Sequence, residues 1–341
     1  MDTCSEAVSS KALSTSPFIP GTKVQYAIDS TSLGAMKLCP RYYQYTILEG
    51  WMPKEESIHL RFGIEYHSAI QDYENLRAEG LDFNDAVRET MQRLLVRSHD
   101  FDPDPSTKAG QYKNPNSLRQ LVVDYLDNYR IDPCKTYILA NGKPAVELSF
   151  RWELDWGPNC SEAVSPSADP SDQPDTASLQ PYLLCGHLDR VVNYNDDLFV
   201  LDHKTTTMSA GDWYMQQWSP NNQMTLYALA GKVVLNAPMR GVIIEAAQIM
   251  LEKPNRFTRG FAYRSDQIIH EWLSDLEITL ELAQHYAKAN HWPMNDTACS
   301  MYGGCKFQKV CSKNPEVRKH YLNADFTQLD EDLRWNPLKA R

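Results

Sequence analysis

No apolar stretch in this chain reaches the roughly 20 residues that a helix needs to cross a bilayer, so the sequence excludes a helical membrane protein. Its start, Met1-Asp2-Thr3-Cys4-Ser5-Glu6, lacks a basic-then-apolar signal pattern, and a soluble, cytoplasmic protein is the expectation. Positive charge is in deficit. The 34 Lys and Arg against 44 Asp and Glu leave a formal net charge of −10, which counts against nucleic-acid binding through the overall field. A local basic groove can still exist on an acidic protein, with Arg61, Lys113, Arg119, Arg190, Arg256 and Arg259 as candidates. Scattered solvated charges are the plainer reading of each. No Gly-x-x-x-x-Gly-Lys-Ser/Thr phosphate loop occurs, so the chain carries no nucleotide-driven motor of its own, and no internal repeat is evident.

What is present is enough apolar material for a large core. Of 341 residues, 42% are hydrophobic, which suits one core or a core with an appended lobe. Eight cysteines without a secretion signal argue for metal ligation or free thiols over a disulfide framework. Residues 1–25, rich in Ser, Thr, Ala and Pro, read as a flexible tail. Ser30-Thr31-Ser32 ahead of Leu33, Met36 and Leu38 predicts a short capped helix ending near Cys39-Pro40. Helical spacing runs over Arg61 to Ala78, Phe83 to Val96 and Ser117 to Tyr129, and Lys143 to Trp156 alternates as a strand. Gly157 to Gln180 has almost no large apolar residue and reads as a disordered loop inserted between strands of one domain. Ser219-Pro220 looks like a cap with proline at the first helical position, opening a helix to about Leu235. A strand over Gly241 to Leu251 and a long helix from about Ser265 to Ala289 follow. This order implies an α/β core with a helical lobe in front.

The chemistry lies on a predicted β-hairpin. Leu198-Phe199-Val200-Leu201 reads as a strand buried on both faces, closed by Asp202, and Lys204 two residues on shares the face of Asp202. A carboxylate at the end of such a strand is costly unless it is paired or binds a metal. Asp189 ends a similar stretch, Leu183 to Leu188, and the turn residues Asn193-Tyr194-Asn195-Asp196-Asp197 between the two should pair them antiparallel and bring the acids together. Two carboxylates beside an ammonium suit hydrolysis of a phosphodiester with a hard cation. Further on, Gln223 and Tyr227 are four apart on one helix face, where Gln223 can bond a phosphate or the lysine and Tyr227 can stack on a base or touch the backbone.

At these residues the chain resembles the PD-(D/E)XK nuclease superfamily, in particular its RecB-like branch, which includes the iron–sulfur exonucleases of CRISPR adaptation and the AddB nuclease. Cys39-Pro40, Gly63 with His67, Asp189, Asp202-x-Lys204, Gln223-x-x-x-Tyr227 and a carboxy-terminal cysteine cluster stand in family order, from about Ser30 to Cys311. Where the superfamily name implies Pro-Asp, this chain has Gly186-His187-Leu188-Asp189, a Gly-x-x-Asp form common in that branch. The resemblance implies a restriction-endonuclease-like core, a central mixed sheet flanked by helices. A single domain over 26–320 would hold the helical lobe (61–130), the insert (157–180) and a cysteine region (295–313), with 321–341 as a tail. It implies Asp189 and Asp202 as ligands of Mg²⁺ or Mn²⁺, the His203 carbonyl as a third oxygen, His67 as a nitrogen ligand, Glu147 as an auxiliary acid and Lys204 as the catalytic ammonium.

Cys299, Cys305 and Cys311 cluster near the carboxy terminus around Gly303-Gly304, and Cys39 is the fourth ligand that the resemblance indicates. Four thiolates suit a [4Fe–4S] cluster or a structural zinc. Relatives often space the first two terminal ligands as Cys-x-x-Cys, whereas five residues intervene here. Cys4, Cys134, Cys160 and Cys185 lack ligand spacing. Trp51, Trp213 and Trp218 can stack on single-stranded bases or serve as core and surface anchors. The function expected is a metal-dependent deoxyribonuclease, an exonuclease of recombination, repair or phage/CRISPR-type processing, acting on DNA ends or single strands, alone or beside a separate helicase. The alternative is a catalytically silent nucleic-acid-binding or scaffold subunit.

Overall fold

The computed structural model describes residues 16–158 and 180–339. Most of the insert, with Cys160 and Cys4, lies outside the described residues. Nine strands are described: β1 (Ala27–Ile28), β2 (Trp51–Pro53), β3 (Lys135–Thr136), β4 (Val146–Glu153), β5 (Leu183–Tyr194), β6 (Asp197–Thr206), β7 (Gly241–Gln248), β8 (Arg256–Tyr263) and β9 (Phe326–Gln328). Seven of them form one mixed sheet in the order β1-β5-β6-β7-β8, with β3 and β4 also on β5. The β5–β6 hairpin is antiparallel, as its turn chemistry requires, and Asn195 and Asp196 take the left-handed conformation at the turn. β6 and β7 are parallel, joined through the Asn222–Leu235 helix.

Helices cover both faces. The Asn222–Leu235 and Asp266–Lys288 helices pack Met224, Leu226, Trp272 and Leu276 into the core cluster that holds Leu188, Val200 and Val242. On the other face the helices Ile58–Ala78, Phe83–Arg97 and Pro115–Asn128 form the predicted lobe. Their Phe62, Tyr66, Leu94, Leu118 and Tyr125 pack with Ala247 of β7. β7 is buried along its whole length because it lies between these layers.

Several boundaries differ from those read in the sequence. The first helix is Ser30–Leu38, but its cap is Asp29, which accepts from Ser32 N at 2.9 Å in a reciprocal box. The Asn222–Leu235 helix starts beyond Ser219-Pro220, with Asn221 as cap. The tail read over 1–25 is already packed by residue 17. Tyr26 N donates to the Pro17 carbonyl, Phe18 bridges Gln25, and Val24 and Gln25 are buried. The tail read over 321–341 is structured as well. β9 pairs with β2, Leu322 and Phe326 are buried, and Trp335 Nε1 donates to Asp29 Oδ2 at 3.1 Å. Strand β8 has no counterpart among the elements expected from the sequence.

Candidate active site

The strand ladder between β5 and β6 ends at Arg190 opposite Leu201. One step further in the same register, Asp189 faces Asp202. There the His203 backbone N–H donates not to a main-chain carbonyl but to Asp189 Oδ2, at 3.0 Å. β1 takes the same edge of β5 only at Leu183 and Leu184, so the edge is left open between these pairings, beside the acids.

Asp202 is 1% exposed and ion-paired with Lys204, 2.6 Å from Nζ to Oδ2. Lys204 Nζ also donates to Gln223 Oε1 at 3.3 Å and lies 5.3 Å over the Trp218 ring. Gln223 Nε2 in turn donates to Tyr227 Oη at 3.0 Å. Tyr227 is buried, so it orients the glutamine amide and is not placed to stack on a base. His67, from the Ile58–Ala78 helix, brings Nδ1 to 3.2 Å from Asp189 Oδ2. A small cavity beside them is lined by His67, Glu74, Glu147, Asp189, Arg190 and His203 among others. Glu147 lies between the pairs Val146–Arg190 and Leu148–Leu188 with a left-handed φ of 49°, a conformation uncommon for a glutamate in a strand. The expected site residues of the hairpin, lobe helix and following helix therefore converge.

The two acids are held apart electrostatically. Burial alone would raise Asp189, but the charge and hydrogen bond of His67, helped by His203 and Lys204, bring it well below the usual carboxylate range. Asp202 is raised, because burial and the Asp189 charge outweigh Lys204. Burial works against the His67 charge, yet Asp189 leaves its pKa above the ordinary value.

Behind the site lies a charge network that no pattern in the sequence announces. The His203 ring, buried against Tyr66 and Tyr125, pairs through Nδ1 with Glu245 of β7 at 2.9 Å. Glu245 pairs with Arg259 of β8, which donates twice to Asp132, at 2.6 and 2.8 Å. Arg190 continues to Glu74 at 3.2 Å and to Asp132 at 3.6 Å. Burial would raise Glu245, but the hydrogen bond and charge of His203, then Arg259, bring it down to about 2. Four groove candidates are thereby accounted for otherwise: Arg190 and Arg259 are internal, Arg61 is paired with Glu65 and Asp100, and Lys113 is buried. Trp51 is buried too, whereas Trp213 is 72% exposed.

The cysteines from both ends of the chain approach one another. Cys39 Sγ accepts from Asn295 N at 3.3 Å, and Cys305 N donates to the Cys299 carbonyl at 2.8 Å. Burial and the charges of Cys305 and Cys39 raise the Cys299 thiol. Cys311 is raised by burial first, with Cys305 and Cys39 adding to it. Among the described residues, no group of three or more His, Cys, Asp and Glu is placed as it stands to hold a metal ion. Cys134 and Cys185 are buried thiols, pushed up by burial to about 11 and about 12. No described helix is long and apolar enough to cross a membrane.

Similarity to known proteins is remote at the level of identity. No curated protein matches the chain. Among solved structures, a proposed exonuclease from Eubacterium rectale aligns at 10% identity and a TM-score of 0.47, over 86% of this chain and 92% of that one. The protein SSO0001 aligns at 11% identity and a TM-score of 0.31, over 86% and 89%. The model of the PD-(D/E)XK nuclease superfamily matches residues 30–312, a span that contains the main sheet apart from β1, the hairpin acids and the three clustered cysteines. The chain belongs to the PD-(D/E)XK nuclease superfamily.

Proposed function

We propose that this protein is a metal-dependent deoxyribonuclease of the RecB-like kind, an exonuclease acting on DNA ends or single strands. The observation that carries the reading is Asp189 facing Asp202 where β5 and β6 part, with Lys204 held between Asp202 and Gln223. The acids fit a divalent cation. Asp202 is buried and, even with Lys204 beside it, its pKa is raised by burial and by Asp189, so the pair is short of positive charge. Asp189, Asp202 and the His203 carbonyl would hold Mg²⁺ or Mn²⁺, with His67, once it gives up the proton that Asp189 favours, as a nitrogen donor and Glu147 nearby. Two carboxylates and a carbonyl suffice, because Mg²⁺ keeps several waters. Such an ion supplies Lewis acidity and charge neutralisation at the phosphate.

The remaining work falls to the chain. The His203 N–H and His67 fix the orientation of Asp189. Lys204 is steered by Asp202 and Gln223 to donate to a phosphate oxygen or to orient the attacking water. Tyr227 sets the Gln223 amide, and exposed Trp213 offers a stacking face for a base.

The donor set of Cys39, Cys299, Cys305 and Cys311 suits a [4Fe–4S] cluster in kind, with zinc as the other candidate, and its role here is to tie the two ends of the chain together. Without a phosphate loop of its own, the nuclease would act alone or beside a separate helicase.

The test is cleavage of end-labelled single- and double-stranded DNA with Mg²⁺, Mn²⁺ or EDTA. Wild type should cut only with metal, and Asp202→Ala or Lys204→Ala should lower the rate by about 10³-fold or more, since several kcal/mol of charge stabilisation is removed. Unaltered cutting by Asp202→Ala would overturn the site. DNA binding without cutting by wild type would favour the scaffold reading. For the cysteines, anaerobically purified wild type should show visible absorbance that Cys305→Ser loses. Colourless, zinc-containing protein would assign the site to zinc.

A further inference from the structure

A groove beside the cysteine lobe is not used by the reading above. Its cavity of about 620 Å³ is lined by Arg41, Arg318 and Lys319, with His291, Glu49 and Trp51. Among the described residues Glu49 is the one acid in this lining; it accepts from Gln44 Nε2 at 2.7 Å and from Trp51 Nε1 at 2.9 Å, and its charge offsets one of the three cations. The guanidiniums are held by carbonyls, and Arg41 and Arg318 also act on the Cys311 thiol. Arg41 Nε donates to the Trp292 carbonyl at 2.8 Å, and Arg318 donates to the carbonyls of Lys313 and Cys311, both at 3.0 Å. These carbonyls fix the guanidinium planes without cancelling their charge. Among the described residues none of the three cations has a carboxylate partner, whereas Arg61, Arg93, Arg97, Arg190 and Arg259 all do. On a chain of net charge −10, three cations against one carboxylate around one concavity form a local site for an anion.

The Ser30–Leu38 helix, which leads into Arg41, touches the helix that carries Gln223. Lys204 donates to Gln223, and the neighbouring Asn222 accepts from Lys37 Nζ at 3.3 Å. Arg41 follows Lys37 by four residues, past Cys39-Pro40. We propose that this groove binds the phosphodiester backbone of a single nucleic-acid strand whose scissile bond lies at Asp189 and Asp202. This rests on the nuclease reading. A cavity of this size has room for a short stretch of one strand, and cations follow a backbone without reading its bases.

The experiment uses Lys319→Glu combined with His291→Glu, both exposed and outside the catalytic set, and separately Arg41→Gln. Thermal unfolding first establishes that the variants are folded. Fluorescence anisotropy in EDTA then measures binding of oligothymidylates of about 20 and about four nucleotides across a salt series. Binding of the longer strand should weaken by about tenfold or more, and the slope of log affinity against log salt should fall by about 0.7 for each phosphate that the variant no longer neutralises. Cleavage of the short substrate should be unchanged. Equal affinity and equal slope in variant and wild type would overturn the groove, as would a wild type that binds no strand. If wild type cuts nothing but the variant still loses affinity, the nuclease reading fails and the groove stands.

Discussion

Lys113 is 5% exposed, with Thr205 Oγ1 at 3.4 Å and the Phe62 ring at 5.3 Å, and it has no carboxylate in the described ion pairs. Burial pushes its amine down to about 8. Because the folded pKa lies below the unfolded one, the unfolded chain binds more protons between about pH 8 and 10.5. Stability should therefore rise with pH across that window, and the cost of the buried charge is fully present below it. Lys113→Met should stabilise the protein by on the order of 2–3 kcal/mol at pH 7. Urea midpoints at pH 7 and at about pH 10 read this directly; a gap between the two proteins that does not narrow at high pH would refute it. The same lysine shows what the sequence hides at this scale. Asp189, Asp202 and Lys204 are legible because a charge closing a buried strand demands a partner. Lys113 reads as a groove cation because nothing local announces that the Ile58–Ala78 helix and β6 will bury it.

The stakes of the charge network are set by the strands. Glu245 sits on β7 between His203 of β6 and Arg259 of β8, fully enclosed. Glu245→Ala would leave the His203 ring without its acid and Arg259 with Asp132 alone, a loss of about 3–5 kcal/mol. The exposed pair Arg88–Asp85 should show no measurable change on Arg88→Ala, since solvent screens it. Similar falls in urea midpoint for the two would contradict this ordering. The sign with pH also follows. The Glu245 carboxyl is held at about 2, below its ordinary 4.5, so its contribution is present above about 4.5 and is lost as pH falls toward 2. Glu245→Gln should flatten that acid limb; an unchanged limb would mean that other carboxylates govern it. β5, β6 and β7 are readable from apolar runs and turn residues. β8, Arg-Phe-Thr-Arg-Gly-Phe-Ala-Tyr, is not, because its charges and glycine mask a strand that only the β7 edge and Asp132 make favourable.

At the scale of the whole molecule, the two ends of the chain close on each other. Arg41 donates to the Trp292 carbonyl, Asn295 Nδ2 donates to the Leu38 carbonyl at 2.9 Å, and β2 pairs with β9 across the length of the sequence. A separate small core supports this closure: Tyr45, Trp51, Phe307, Val310, Leu322 and Phe326, with Cys305 and Cys311 packed against it. The motif order puts Cys39 with the terminal cysteines, and it does not announce the role of residues 321–339. Three-residue strands joined over such a distance leave no periodic pattern to read. Phe326, 6% exposed and stacked on Phe307 with centroids 4.7 Å apart, is the side chain on which this core turns. Phe326→Ala should cost about 3–5 kcal/mol locally. Since the small core is distinct from the one beneath the main sheet, the loss should appear first as faster hydrogen exchange at Trp51, Met52 and Phe326–Gln328, with β5, β6 and β7 still protected. Uniform loss of protection across both regions would show instead that the lobe and the sheet unfold as one unit, and that the acids depend on the cysteine end for their geometry.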